Sequence, residues 1–272
     1  VFAIEVTVVG IAHYSAIVPC LLSSLTAAMV ADWFHVKPTS FLVRYIPEFH
    51  ADSYFMLART IIMGIAGAIV SIVFCKIMSK TAELYKKYIK NPYLRILAGG
   101  AIVAAISMLI YALTGSFDYN GAGTDIIKKA FIGQSRPEAF ILKMLLTALT
   151  LGCGFKGGEI VPSLYIGATF GCFFGGLLGL SHSFGAAVGL AAVFCGVTNC
   201  PFATLLLTIE LFGADGLPYY ALVIGISYML SGYTGLYSAQ KFYDNKFIHR
   251  RFRHLKTYKE IKTDSAANNG KD

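Results

Sequence analysis

Apolar runs lay out the chain before any motif is read. Tyr14 to Phe34 form a long one, interrupted only by Pro19 near its start and Asp32 near its end. A connection of mixed charge with two prolines, His35 to Asp52, leads to a second run from about Tyr54 to Met78. The third, about Leu94 to Leu113, starts after Pro92. Each is long enough to cross a hydrocarbon core of about 30 Å as a helix. The second half is chopped more finely: Pro137 to Gly152, Ile160 to Leu180, Gly185 to Val197, Phe202 to Phe212 and Leu217 to Leu230. Several of these are too short to cross upright. Short hydrophobic segments interrupted by Gly and Pro predict discontinuous helices that meet at a site in mid-membrane. The expected class is an all-α membrane protein, a bundle of tilted and broken transmembrane helices. Gly115 to Ser135, with its Gly121-Ala122-Gly123 turn and a short basic stretch, reads as a connection.

Composition narrows the class. Hydrophobic residues make up 56% and charged residues 14%, and mean hydropathy is +0.63. Soluble domains carry roughly 25% charge, so a soluble globular reading is excluded. Twenty-seven glycines spread through apolar runs point to close helix packing rather than flexible linkers. The six cysteines show no C-x-x-C pair and sit mostly in apolar runs, which predicts free buried thiols. His13, His35, His50, His182, His249 and His254 lack metal-ligand spacing, so neither a metal nor a cofactor is expected. No phosphate loop, nucleophile set or catalytic carboxylate pair is present, and no enzyme is expected.

The net charge of +8 gathers in two places, Lys76 to Arg95 and the tail from Lys241 to Lys262. Both flank hydrophobic spans, which is the mark of the cytoplasmic side rather than of nucleic-acid binding. The C-terminus is therefore expected in the cytoplasm. Residues 1–252 read as one transmembrane domain, and 253–272 as a basic, disordered tail. After Tyr243 the last helix is expected to continue briefly. The opening Val1-Phe2-Ala3-Ile4-Glu5-Val6 reads as the end of a helix already under way, so the expectation is a piece of a longer protein. It echoes Leu207-Thr208-Ile209-Glu210-Leu211, as internal repeats would. Lys143, alone in its apolar run, is expected to snorkel to the interface. Glu5 and Glu210 are expected to cap backbone N–H groups or make a subunit contact.

The most informative stretch is Gly157-Gly158-Glu159-Ile160-Val161-Pro162. Between Glu159 and Glu210 fifty residues carry no permanent charge. A carboxylate at the mouth of such a segment is costly unless it has a task. Two glycines before it and a proline in the first turn describe a helix N-terminus whose free N–H groups face something negative.

Four stretches resemble the C-terminal half of a CLC chloride channel or transporter. Gly158-Glu159-Ile160-Val161-Pro162 falls on that family's G-x-F-x-P anion-binding signature. Asn199-Cys200-Pro201-Phe202 through Ile209-Glu210 is similar to an apolar helix ending in Ile/Leu-Glu. Gly235-Leu236-Tyr237-Ser238 resembles the start of the last helix, whose tyrosine points at the anion. Val1 to Ala28 resembles the segment after the gating glutamate. The resemblance implies the second half of a CLC-like inverted-repeat fold, a homodimer in the lipid bilayer, and a small halide as cargo. It places the anion against Gly158, Glu159, Ile160, Val161 and the Tyr237 hydroxyl. A compact prokaryotic plasma-membrane protein without nucleotide-sensing modules is the natural expectation.

Departures from the pattern sharpen the alternatives. Ile160 replaces the usual Phe. Glu159 stands where chloride members are usually apolar; the G-G-E-x-x-P form is similar to the fluoride/proton antiporter branch, although Val161 replaces a frequent Thr. Val6 stands where proton-coupled chloride members carry a second Glu. Either Glu159 is the proton carrier of an anion/proton antiporter, which is the favoured reading, or the protein is a passive chloride channel with a structural Glu159. Chloride and fluoride both stay open, with chloride slightly favoured. A more remote alternative is an unrelated broken-helix carrier for a small organic anion.

Overall fold

The computed structural model describes residues 2–10, 14–36, 41–48, 54–244, 246, 251–258 and 260–263. Its elements in chain order are α1 (Phe2–Glu5), β1 (Val8–Val9), α2 (Tyr14–Trp33), α3 (Tyr54–Tyr88), α4 (Pro92–Thr114), α5 (Thr124–Phe131) and α6 (Ala139–Gly152). They continue with α7 (Ile160–Leu177), α8 (His182–Thr198), α9 (Pro201–Phe212), α10 (Leu217–Leu230), β2 (Lys241–Asp244) and β3 (Arg251–Thr257).

Helix α8 is the axis of the bundle. Every residue from Ser183 to Cys200 is buried, as a helix apolar on all sides must be. Helix α7 packs on it most closely, and α3 and α10 cover its other sides. Small residues make the α7–α8 approach possible. Gly167, Gly171 and Gly175 of α7 face Gly185 and Gly189 of α8, and a Cβ on any of them would run into the opposite backbone. On the α10 side, the Ser227 hydroxyl donates to Ala192 O at 2.6 Å, which gives the buried hydroxyl an acceptor.

The expected long spans are present: α2, α3, α4 and α7 have the length and hydropathy to cross a membrane. Helix α9, at 12 residues, extends only about 18 Å, and α6 and α10, at 14, about 21 Å. These are the broken segments that the interruptions predict.

Three features differ from the sequence reading. Helix α3 runs past Met78 to Tyr88, because Lys, Glu, Ala and Leu in the basic cluster are good helix formers. The supposed connection at 115–135 contains α5, which buries Ile126, Ile127, Ala130 and Phe131 and turns Asp125, Lys128 and Lys129 outward. Residues 238–244 do not continue a helix. The chain enters β2, which pairs in parallel with β1 (Val8↔Lys241, Val9↔Phe242) and antiparallel with β3 (Lys241↔Thr257, Asp244↔Arg251). The aromatic pair Phe242-Tyr243 suits a strand, and Phe242 is 1% exposed. The expected boundary at residue 252 thus falls inside β3, and residues 258 and 260–263 beyond the strand are helical. Residues 264–272 lie outside the described residues.

Candidate functional site

The site is built where α6 hands over to α7. Arg95 Nε holds Cys153 O at 3.2 Å, and Gly154 turns the chain at φ 115°, a conformation that needs glycine. Residues 155–158 carry it to Glu159, the N-cap of α7, whose carbonyl accepts from Ser163 N at 3.2 Å. The N–H groups of Glu159, Ile160 and Val161 therefore have no acceptor inside the helix, and Pro162 has no N–H to offer. Among the described residues no side-chain hydrogen bond caps this end. A Cβ built on Gly158 would meet nothing within 4 Å, so the backbone here is open to its surroundings.

What it opens into is a cavity of about 740 Å³, lined by residues 157–161 and 236–239. Gly158, Glu159, Ile160, Val161 and Tyr237 are thus brought together around one space. Tyr237 is fixed from two sides. Its ring sits edge-on to Phe2, centroids 6.3 Å apart, and Phe2 leans on Phe194 of α8. Beside it, Leu236 N donates to Val197 O at 2.9 Å and Gln240 N to Tyr237 O at 3.1 Å. Among the described residues the Tyr237 hydroxyl has no hydrogen-bond partner.

Glu159 is half-buried, and among the described residues no cation or donor compensates its carboxylate. This end of α7 offers backbone donors, a hydroxyl and a protonatable carboxyl. That set suits a small anion that must bind and then leave.

A polar hub that the sequence reading missed holds the Tyr237 loop in place. Asn199 ends α8 in the left-handed region (φ 58°) and is fully buried. Its Nδ2 donates to Thr234 O at 3.0 Å and Gln240 Oε1 at 3.2 Å. Gln240 Nε2 in turn donates to Thr198 O and Val6 O. Lys246 Nζ reaches Asn199 Oδ1 at 2.6 Å, Tyr228 O at 3.0 Å and Gly232 O. Asn199 could have been noticed as a carboxamide within an uncharged segment; Lys246 is indistinguishable by sequence from the basic residues around it.

Glu5 takes the capping role expected of it, on another helix. Its two oxygens accept from Phe202 N at 3.1 Å and Ala203 N at 2.6 Å at the start of α9. Glu210, its partner in the echo, is exposed near the other end of α9, so the echo does not extend to environment. Lys143 corrects the snorkelling expectation: it is 2% exposed and turned inward, donating to Tyr119 O at 3.3 Å and to Gly121 O. Backbone carbonyls of the 119–121 loop reach it first. Among the described residues no three His, Cys, Asp or Glu side chains group around a common point; His13, His50 and His249 lie outside them.

Comparison with known proteins extends this geometry. The Chloride/fluoride channel protein of Pseudomonas syringae pv. tomato is 33% identical over 246 residues, which is 88% of this chain and 53% of that protein. The H(+)/Cl(−) exchange transporter ClcA of Vibrio cholerae is 24% identical over 209 residues, 70% of this chain and 42% of the transporter. A crystal structure of a CLC-type fluoride/proton antiporter superposes with a TM-score of 0.81 at 29% identity, over 89% of this chain and 60% of the other. The chain spans about half the length of the curated relatives it matches. It carries the CLC fold as a multi-pass helical membrane protein, and with residues 1–232 matching the family described as Voltage gated chloride channel, it belongs to that family.

Proposed function

We propose that this chain is the site-bearing half of a CLC-type halide/proton antiporter, with Glu159 as proton carrier. The N–H groups of Ile160 and Val161, the backbone at Gly158 and Glu159, and the Tyr237 hydroxyl hold the anion. The helical part, to the end of α10, lies in the membrane, and the C-terminal segment faces the cytoplasm of a prokaryotic cell. The working unit is a homodimer with one ion route per subunit.

One observation carries the reading: Glu159 is not spent on capping. A structural Glu159 would accept hydrogen bonds from helix-end amides, yet no cap bond is formed. A half-buried carboxyl without a partner favours its neutral form, and a neighbouring anion favours it further. Protonated, it is also a strong donor for a small, tightly hydrated anion. That chemistry, with relatives named for fluoride, supports fluoride over chloride.

The passive-channel reading draws on Val6, whose carbonyl is taken by Gln240 and whose side chain cannot carry a proton. Liposome flux with the full-length protein separates the two. An imposed halide gradient should drive protons in the wild type, and Glu159→Gln should uncouple protons while halide still moves. Halide flux without proton movement in the wild type would establish the channel reading instead. Parallel efflux of fluoride and chloride ranks the ions.

A further inference from the structure

A second cavity, about 340 Å³, lies beneath the loop at 119–121 and reaches Gly158 and Pro162 at the start of α7. Gly158 lines both this cavity and the one in front of Tyr237, so the two adjoin at that residue. Its walls carry Asn120, Lys143, Thr147 and Thr150. The last three recur at i, i+4 and i+7 on α6 and form one polar stripe in an otherwise apolar helix. We propose that this cavity is a second halide-binding station, in which Lys143 is the counter-cation of an anion passing to or from the α7 N-terminus. The inference rests on the halide-transport reading above.

The argument starts from an incomplete charge balance. An ammonium buried in a membrane protein is costly unless something negative accompanies it. Lys143 is 2% exposed, and among the described residues no carboxylate pairs with it. The acid one turn away on the chain, Glu138, is engaged by the Tyr119 hydroxyl at 3.1 Å. Lys143 instead donates to two neutral carbonyls, Tyr119 O and Gly121 O, and lies 4.8 Å from the centre of the Tyr165 ring.

An ammonium has three N–H donors, and the carbonyls take two. The third is left for the cavity that Lys143 lines. Thr147, one turn further along the stripe, has no hydrogen-bond partner among the described residues, so its hydroxyl is available to the same anion. Thr150 is bonded back to Leu146 O at 2.7 Å but can still accept from a hydrating water. The cavity has room for a halide that keeps part of its water shell. A mobile halide is thus the counter-ion that the fold itself does not supply. A structural lysine tethering the loop would need neither the cavity nor the free hydroxyl.

The test is halide flux against halide concentration in liposomes containing the full-length protein. Lys143→Met should raise the half-saturating concentration about tenfold, as loss of a charge-assisted hydrogen bond would. Lys143→Arg, which keeps the charge, should stay within about threefold of the wild type. Thr147→Val leaves the lysine tether intact and should raise half-saturation a few-fold. It keeps the proposal falsifiable should Lys143→Met fail to fold. If the wild type transports halide and these variants, where folded, share its half-saturating concentration, the second station is refuted and the α7 site stands. A wild type that moves no halide removes both.

Discussion

Gly189→Ala tests whether glycine sets the distance between the two helices that frame the site. A Cβ on Gly189 would lie 2.5 Å from Gly171 Cα, 2.7 Å from Gly167 O and 2.9 Å from Gly171 N. Carbon atoms in contact settle at about 3.5 Å or more, so α7 and α8 must part by roughly 1 Å. Every obstructing atom is backbone and none can rotate away. Overpacking of this kind costs about 1–3 kcal/mol, which lowers the unfolding midpoint by roughly 2–12 °C for a chain of this size. Because α7 also carries the amides proposed to hold the anion, halide flux should fall with it. Gly225→Ala in α10 supplies the opposite sign: nothing lies within 4 Å of its would-be Cβ, and alanine is the better helix former by about 1 kcal/mol. Thermal unfolding and size-exclusion profiles of both variants in detergent read the difference. A Gly189→Ala protein as stable and monodisperse as the wild type would refute the spacer argument, most plainly if Gly225→Ala were the weaker of the two.

Two further outcomes are expected. Glu5→Ala should destabilise by about 1–3 kcal/mol, since it strips the acceptors from Phe202 N and Ala203 N; Glu5→Gln should cost less, and equal melting of all three proteins would contradict the capping role. Lys246, drawn down to about 7 by burial, makes stability depend on pH. Between about pH 7 and 10.5 the unfolded chain holds this proton and the fold does not, so stability should rise with pH across that window and the penalty should be full below it. Lys246→Met should flatten this part of the profile of melting temperature against pH.

The spans were readable because lipid imposes a single demand on composition, met by α2, α3, α4 and α7 over long apolar windows with few charges. The breaks at Asn199-Cys200-Pro201 and 213–216 were readable because Pro and Gly leave local marks. Segments whose structure depends on distant partners were not. Helix α5 is short, with charges on one face that mimic a loop until α7 and α8 cover its Ile and Phe. Strand β2 exists because β1 waits at the far end of the sequence. No spacing rule links residue 159 to residue 237; only the family resemblance did. Lys143 shows the limit most directly. A lone cation in an apolar run reads the same whether it stretches to the interface or meets carbonyls, and those carbonyls belong to a loop more than twenty residues earlier.

The tie between the chain's two ends has a consequence for biosynthesis. Gln240 bonds to Val6, 234 residues away, and β1 joins β2 in the same neighbourhood. Contacts this remote in sequence form late, after the intervening helices are made and placed. The loop that carries Tyr237 can settle only after residues 6 and 240 have both been made, so a product stalled within α9 or α10 would hold its earlier helices in the bilayer with this end of the cavity unformed.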